Sequence, residues 1–396
     1  MMDVGVIGKP NVGKSTFFNA VTLGGAEIAN YPFTTIDSNI GATYVTYKCP
    51  CKELNLTCSP QNSKCIDGTR LVPLKIIDVA GLVKGAHTGR GLGNKFLNDL
   101  SRAETLIHIV DASGSTDIEG NPVPIGTHNP IEDIEFLEEE INLWFFGILN
   151  DNWFRFARKV CSGHHDFCKI VAEQFTGIGI TEGNVIASIR ETGLNPEQCI
   201  HWKDEELLIF ARSLRKISKP ITIVLNKVDI APPENIKALK EKIGEVFTVS
   251  AEAELVLRKA SNAGLLKYIP SQKSFEITGN LNDKQKEALN KIKNFMEKNE
   301  GTGVQNVINQ VVFNILGKIV VYPVEDESHM KDGKGNVLPD AYLMEKGSTP
   351  RDLAFRIHTD IGKSFLYAVN ARTKMRIKDD YELQNGDIIK IVSAAR

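Results

Sequence analysis

A glycine-rich segment near the start of the chain has the residue types and spacing of a phosphate-binding loop. It reads Gly8-Lys9-Pro10-Asn11-Val12-Gly13-Lys14-Ser15 and fits the pattern G-x-x-x-x-G-K-[ST]. The glycines allow successive backbone N–H groups to point at phosphate oxygens. Lys14 would contact the outer phosphates, Ser15 would offer a hydroxyl ligand to Mg²⁺, and a helix predicted over Thr16–Val21 would add its positive N-terminal end. A chance match is expected in roughly one chain in a hundred of this length, so the segment predicts nucleotide binding.

A second motif, the acidic turn Asp78-Val79-Ala80-Gly81, follows the predicted strand Leu74–Ile77. A carboxylate at such a strand end can hold the shell of a Mg²⁺ ion through water, as Walker-B acids do. Gly81 would let the backbone approach a γ-phosphate. The turn alone is typical of many strand ends, and its place after the phosphate-binding loop gives it weight.

A third motif, Asn226-Lys227-Val228-Asp229, follows the predicted strand Ile221–Leu225. The Asp229 carboxylate can accept hydrogen bonds from both N1–H and the 2-amino group of guanine, whereas adenine offers neither donor there. Lys227 would lie along the base and Asn226 would brace the neighbouring loops. Ser250-Ala251 ends the next strand, where a backbone N–H could reach the guanine O6. The set predicts a guanine nucleotide.

These motifs lie at the ends of apolar runs that are typical of buried parallel strands separated by helices. The predicted fold is therefore an α/β doubly wound sheet over residues 1–112 and 219–280, the nucleotide-binding domain. Residues 113–218 have helical apolar spacing and are interpreted as a helical insertion. Residues 281–317 form a helical connector that ends at Gly317, and residues 318–396 form a small α+β domain with a helix starting at Thr349-Pro350.

Together these features resemble the Obg family of P-loop GTPases, and in particular its YchF-like branch. The resemblance rests also on Tyr31-Pro32-Phe33-Thr34-Thr35 as the first switch, on the glycine-rich stretch from Gly81 to Gly93 as the second, and on the long helical insertion. It implies an OBG-type G domain that hydrolyses GTP to GDP and phosphate, with Thr35 sensing Mg²⁺ and the γ-phosphate. Bacterial YchF-like proteins are altered at the base-recognition motif and prefer ATP, whereas the motif is intact here, which favours GTP.

The C-terminal domain resembles TGS, a β-grasp module, through Lys346-Gly347-Ser348-Thr349-Pro350-Arg351-Asp352 and the ending Leu383-Gln384-Asn385-Gly386-Asp387. Alternation predicts that Arg372, Lys374, Arg376 and Lys378 share one strand face, which could contact RNA phosphates. A solvated edge strand would have the same composition. The resemblance implies a regulatory GTPase that acts on ribosomes or RNA through its TGS and helical domains.

Leu82 stands where Ras-like enzymes place the glutamine that orients the attacking water, so we expect slow intrinsic hydrolysis. Lys14, Thr35 and Gly81 are phosphate and switch groups, and the residue that positions the water is not evident. His87 is a weak candidate. In the related G-x-P-N-x-G-K-S loops an asparagine at the position of Asn11 helps to hold K⁺ where an arginine finger would place charge, so the resemblance implies stimulation by K⁺, although asparagine is also a common turn former.

Four of the seven cysteines, Cys49, Cys51, Cys58 and Cys65, lie within seventeen residues. They could close a tetrahedral Zn²⁺ site, but free thiols or a disulfide would give the same spacing. A second group, Cys161, His164, His165 and Cys168, could also bind Zn²⁺ but is more simply a polar helix end with two apolar thiols.

The chain has 396 residues with a net charge of -2, 24% charged and 42% hydrophobic residues. This composition excludes disorder, collagen and a disulfide scaffold, and no apolar run has the length of a membrane span. An odd cysteine count without an export signal indicates a cytoplasmic protein. Other interpretations are a YchF-like ATPase, a metabolic P-loop phosphotransferase, and an RNA-binding scaffold with residual nucleotide affinity.

Overall fold

The computed structural model describes residues 3–23, 39–79, 93–163 and 165–394, and of residues 93–95 and 97 only the backbone. The chain divides into two compact units. The first consists of Met1–Asn19, Ser38–Ile40 and Ile76–Ala253, and the second of Ala20–Asp37, Gly41–Lys75 and Glu254–Arg396.

The strands are, in chain order, β1 Asp3–Ile7, β2 Ile40–Lys48, β3 Lys64–Ile66, β4 Thr69–Asp78, β5 Thr105–Asp111, β6 Ile221–Asn226, β7 Phe247–Thr248, β8 Leu266–Lys267, β9 Glu276–Ile277, β10 Lys318–Val324, β11 Tyr342–Glu345, β12 Phe365–Asn370, β13 Met375–Ile377 and β14 Ile388–Ser393. The helices are α1 Lys14–Thr22, α2 Pro50–Glu53, α3 Gly93–Arg102, α4 Pro130–Asn150, α5 Trp153–Cys161, α6 Phe167–Gln174, α7 Glu182–Thr192, α8 Asp204–Ser218, α9 Pro233–Ile243, α10 Ala251–Asn262, α11 Asp283–Asn299, α12 Val304–Gln310, α13 Pro350–Ile357 and α14 Thr359–Lys363. None of these helices is both long and apolar enough to cross a bilayer.

The first unit contains a sheet in the order β4-β1-β5-β6-β7, to which β4 contributes its last residues, Ile76–Asp78. β1 pairs with β5, β5 with β6 and β6 with β7, all in parallel. All of β5 and most of β1 are buried, as their largely apolar runs predict. The carboxyl ends of parallel strands meet at one edge, so this sheet collects the turns after β1, β4, β5 and β6 in one place.

Five helices, α4 to α8, lie between β5 and β6, and the first of them begins at Pro130 after an N-cap by Asn129, whose side chain accepts a hydrogen bond from the Ile131 amide. Their apolar faces form one continuous core with the sheet, in which Leu137 and Phe145 of α4 join Ile7 of β1 and Leu106 of β5. Residues 113–129, the first part of the predicted insertion, contain no helix and form a loop before α4. This loop contacts the turn that follows β1.

In the second unit β2 lies beside β4, and β3 folds back on β4 as an antiparallel hairpin. α12 continues as one π-helical segment, Val311–Ile315, and Gly317 follows at φ +60°, where the sequence placed the helix end. A separate sheet has the order β11-β10-β14-β12-β13. The predicted start of α13 is confirmed, because Thr349 caps the helix by accepting from the Asp352 amide and Pro350 is its first residue.

The prediction that Arg372, Lys374, Arg376 and Lys378 share one strand face is wrong. β13 contains only Met375–Ile377, and Lys374 has a left-handed φ of +58°. Asn370 starts a turn instead, since its side chain accepts hydrogen bonds from the Arg372 and Thr373 amides at 3.0 and 3.3 Å. Arg372 is turned away to form an ion pair with Glu53.

Candidate nucleotide-binding site

The glycine-rich segment forms the turn between β1 and α1, as its pattern predicts. α1 begins at Lys14, and the Phe17 amide bonds the Gly13 carbonyl at 2.9 Å. Gly13 has φ +93°, and a Cβ there would lie 2.3 Å from the Asn226 Nδ2 atom, so only glycine fits. The turn comprises Gly8, Lys9, Pro10, Asn11, Val12 and Gly13, of which Val12 is buried in the core and Pro10 is exposed.

Lys14 and Asp78 lie at the sheet edge and form an ion pair with each other. Next to Lys14 on α1, Ser15 is exposed and Thr16 is half-buried. The Lys14 cation, the Asp78 carboxylate and the Ser15 hydroxyl, which were predicted to bind phosphate and Mg²⁺, therefore lie in the same part of the fold. Thr35, Gly81, Leu82 and His87 lie outside the described residues, and their roles stay predictions.

Asn226 joins two loops of the site. Its Nδ2 donates to the Val12 carbonyl at 2.9 Å, and its Oδ1 accepts from the Ala251 amide at 3.0 Å. The side chain is only 3% exposed, so water does not compete with these bonds. A single amide thus holds the phosphate-binding turn and the start of α10 at a fixed separation.

The remaining base-recognition residues surround the same edge. Asp229 lies exposed in the turn after β6, two residues beyond Lys227, which has a left-handed φ of +60°. Ser250 is buried, and its Oγ accepts from the Ala253 amide at 3.3 Å, which caps α10 and orients Ala251. The structure therefore brings residues 226–229 and 250–251 together beside the phosphate-binding turn.

Sequence reasoning missed Asp111, the last residue of β5. Its carboxylate is buried and accepts from the Ser113 amide and hydroxyl, from Ser115 and Thr116, and from Lys227 Nζ at 2.8 Å. Burial alone would raise the pKa of Asp111, but the bonds from Lys227 and the hydroxyl groups outweigh it and hold that pKa below its usual range. The available signal was an aspartate at a buried strand end followed by three hydroxyl residues within five positions.

The loop 113–129 also binds the phosphate-binding turn directly. Lys9 turns away from the nucleotide edge, is buried, and pairs with Asp133 of α4 at 2.7 Å and with the Thr116 carbonyl at 3.0 Å. Asn11 Nδ2 donates to the Gly120 carbonyl at 2.9 Å, and a Cβ on Gly120 would lie 2.8 Å from Pro10. Lys9 therefore contributes its backbone to the turn, while its side chain ties the turn to α4.

The second cysteine group does not gather as a set in the part of the chain that the structure describes. The Cys161 sulfur lies 3.9 Å from that of Cys199 instead, and His164 is outside the described residues.

Comparisons with known proteins agree with this geometry. Residues 3–141 match a family model described as "50S ribosome-binding GTPase", residues 224–326 one described as "Obg-like GTPase YGR210-like, G4 motif-containing domain", and residues 334–393 the TGS domain. An "Uncharacterized GTP-binding protein" of Methanocaldococcus jannaschii is 50% identical over all of both chains. The crystal structure of a GTP-binding protein from Pyrococcus horikoshii OT3 is 45% identical, covers 99% of this chain and 100% of its own, and superposes with a TM-score of 0.79. The "Ribosome-binding ATPase YchF" of Buchnera aphidicola is 25% identical over 97% of both chains.

Proposed function

The chain belongs to the YchF-like branch of the Obg family of P-loop GTPases, with a C-terminal TGS domain, and on that premise we propose that it binds GTP at the sheet edge of the first unit and hydrolyses it slowly to GDP and phosphate. The observation that carries this proposal is the Asn226 bridge, because one side chain holds the phosphate-binding turn and the base-recognition loops at a fixed separation.

The phosphates would lie against the backbone amides of residues 8–15 and the N-terminus of α1. Lys14 would exchange its contact with Asp78 for the β- and γ-phosphates, which frees Asp78 for the shell of the metal. Ser15 and Asp78, together with Thr35, would hold Mg²⁺, and these hard oxygen ligands suit that ion. When bound, Mg²⁺ neutralises charge on the β- and γ-phosphate oxygens.

Asp229 would select guanine. Its carboxylate is exposed in the turn beside Lys227, where it can accept from two donors of the guanine edge. A bidentate, charge-assisted pair of this kind contributes about 2 kcal/mol or more, which corresponds to roughly a 30-fold preference over a base that lacks the donors. An intact motif favours GTP over the ATP named for the YchF relative.

The test is competition of GTP and ATP for binding against a fluorescent guanine nucleotide. We expect GTP to compete at least tenfold better than ATP, and Asp229→Asn to abolish that preference while triphosphate binding persists. Asp151→Asn, which changes an exposed aspartate at the end of α4, is the matched control and should behave as the unmodified protein. Equal competition by ATP in the unmodified protein would refute guanine selection and favour the ATPase alternative.

K⁺ would accelerate hydrolysis in this site. Asn11 donates its amide N–H to the Gly120 carbonyl, which orients its side chain, and the side-chain oxygen would be the ligand of the cation. A K⁺ ion there would place positive charge beside the phosphates, where an arginine finger acts in other GTPases.

The partner would be the ribosome or RNA in the cytoplasm, through the TGS domain and the helical insertion. The family model for residues 3–141 and the Buchnera relative both carry ribosome binding in their names. Arg376 stacks over the Tyr367 ring at 4.3 Å on the TGS sheet, which presents a cation and an aromatic face together. Sedimentation with ribosomal particles in GTP and in GDP tests this: absence from the particles in both states would contradict it.

A further inference from the structure

Four cysteine sulfurs converge in the second unit, in the part of the sequence between the phosphate-binding loop and Asp78. Cys49 precedes α2, Cys51 lies in α2, Cys58 in the loop that follows, and Cys65 in β3. Their Sγ atoms all lie within 4.8 Å of one another, and those of Cys51 and Cys65 are 3.9 Å apart. In a tetrahedral zinc–thiolate centre the Zn–S bond of about 2.3 Å places the sulfurs about 3.8 Å apart, so the group already has nearly the right size.

The ligand type and number restrict the chemistry of this cluster. Four thiolates without a histidine or carboxylate are the ligand set of structural Zn²⁺ and of iron–sulfur proteins, and they leave no open position for a substrate. A disulfide would join two sulfurs and give the other two no reason to converge. Cys49 and Cys51 are buried, and Cys58 and Cys65 are half-buried, which keeps solvent from most of the centre.

A buried cation supplies an independent reason to place negative charge here. Arg70 pairs with Cys65 across the β3–β4 hairpin and is fully buried. Its guanidinium donates to the Leu338 carbonyl, but its Nε and one terminal nitrogen find no acceptor among the described residues. Burial raises the pKa of Asp340 and the charge of Arg70 opposes that rise, so one carboxyl group already lies near the guanidinium. A Zn²⁺ ion with four thiolates carries a net charge of −2 and would add further negative charge beside this buried cation.

We define residues 49–66 as the cysteine knuckle. Its backbone is already ordered around the sulfurs, because the Cys49 amide bonds the Gly68 carbonyl and the Leu56 amide bonds the Cys51 carbonyl, both at 2.8 Å. The sequence between Cys58 and Cys65 faces the segment 337–341, which leads into β11. Ser59 bonds Val337 in both directions at 2.9 and 2.8 Å, and Asn62 bonds Ala341 in both directions at 3.1 and 2.9 Å.

We propose that Cys49, Cys51, Cys58 and Cys65 bind one structural Zn²⁺ ion, which fixes the cysteine knuckle in the shape that docks onto residues 337–341, the segment that leads into the edge strand β11. The ion holds both flanks of the docking segment, since Cys58 lies before residues 59–62 and Cys65 after them. This role is separate from nucleotide binding and does not depend on which nucleotide the protein prefers.

The first experiment measures metal content by elemental analysis on the full-length reduced protein. We expect one zinc per chain, and tetrahedral thiolate absorption after replacement by Co²⁺. Cys58→Ser, a half-buried loop position, should bind zinc far more weakly. Cys168→Ser, a half-buried cysteine of α6 outside the cluster, is the control and should retain one zinc.

The second experiment measures amide hydrogen exchange with and without a chelator. We expect faster exchange at residues 59–62 and 337–341 when zinc is removed, and the same change in Cys58→Ser. Three results would overturn the proposal. The protein could neither contain nor take up zinc, it could contain iron in place of zinc, or its mass could be two hydrogens lower, which would show a disulfide among these cysteines. Exchange that is unchanged on zinc removal would overturn the docking role.

Discussion

Replacing Asn226 by alanine tests whether one buried amide holds the nucleotide site together. The change removes two hydrogen bonds and leaves the Val12 carbonyl and the Ala251 amide without their partner at a position that is 3% exposed. Each of the two buried groups left unsatisfied costs about 1–3 kcal/mol, so we expect Asn226→Ala to lower the free energy of unfolding by about 2–6 kcal/mol. Asn226→Asp keeps the bond to Ala251 but sets a carboxylate against the Val12 carbonyl, so it should be destabilising as well.

The assay is urea unfolding followed by tryptophan fluorescence. All three tryptophans, Trp144, Trp153 and Trp202, lie in the first unit, so the signal reports on the unit that contains Asn226. Asn152→Ala, at an exposed N-cap whose side chain makes no capping bond, is the control and should change stability by less than about 0.5 kcal/mol.

Nucleotide affinity is the second readout for the same variant. Without the bridge, the phosphate-binding turn and the base-recognition loops must be ordered by the nucleotide itself, and we expect GTP to bind about tenfold more weakly, which is about 1.4 kcal/mol. If Asn226→Ala unfolds like the control and binds GTP with unchanged affinity, the bridge does not organise the site and our reasoning is refuted.

Three further predictions concern the surroundings of this site. Asp133→Leu should lower the free energy of unfolding by about 3–5 kcal/mol, because it leaves Lys9 buried without its counter-charge. The double variant with Lys9→Met should recover much of that loss in the same unfolding assay. A double variant as unstable as the single one would contradict this prediction. The pKa of His108 is lowered to about 3, mainly by burial and further by the charge of Lys9. Below about pH 6.5 the unfolded chain therefore binds a proton at this histidine, whereas the folded chain does not. Stability should therefore fall as the pH drops from about 6.5 towards 3, by about 1.4 kcal/mol per pH unit from this residue, and His108→Gln should show a shallower slope. Replacing K⁺ by Na⁺ should slow GTP hydrolysis in the unmodified protein and have little effect in Asn11→Ala, and equal rates in both salts would remove the role of K⁺.

The fold could be predicted where local chemistry and periodicity agree. The buried runs of β1, β5 and β6 are mostly apolar, and each is followed by a turn that carries polar groups, so both the parallel sheet and its functional edge were evident. The start of α13 was evident for the same reason, since Thr349 and Pro350 are a cap and a first-turn residue.

The errors arise where contacts distant in sequence decide the conformation. Nothing in the alternating basic residues near Arg372 shows that Asn370 begins a turn or that Glu53, more than three hundred positions earlier, takes the arginine. The role of the loop 113–129 was not evident from the sequence either, because its polar residues carry no periodic signal. Its role depends on Asp111 and Lys9, which the fold alone brings to it.

The tie between Lys9 and Asp133 has a mechanical consequence for α4. This helix has 21 residues and is therefore about 31 Å long, and Asp133 lies in its first turn. A tilt of about 5° imposed at that end would displace the opposite end by about 3 Å, a distance comparable to half a helical turn. Small movements around a phosphate group would thus reach the aromatic stack of Trp153 and Trp202 as motions of ångström size, so these indoles are natural fluorescent reporters of the nucleotide cycle.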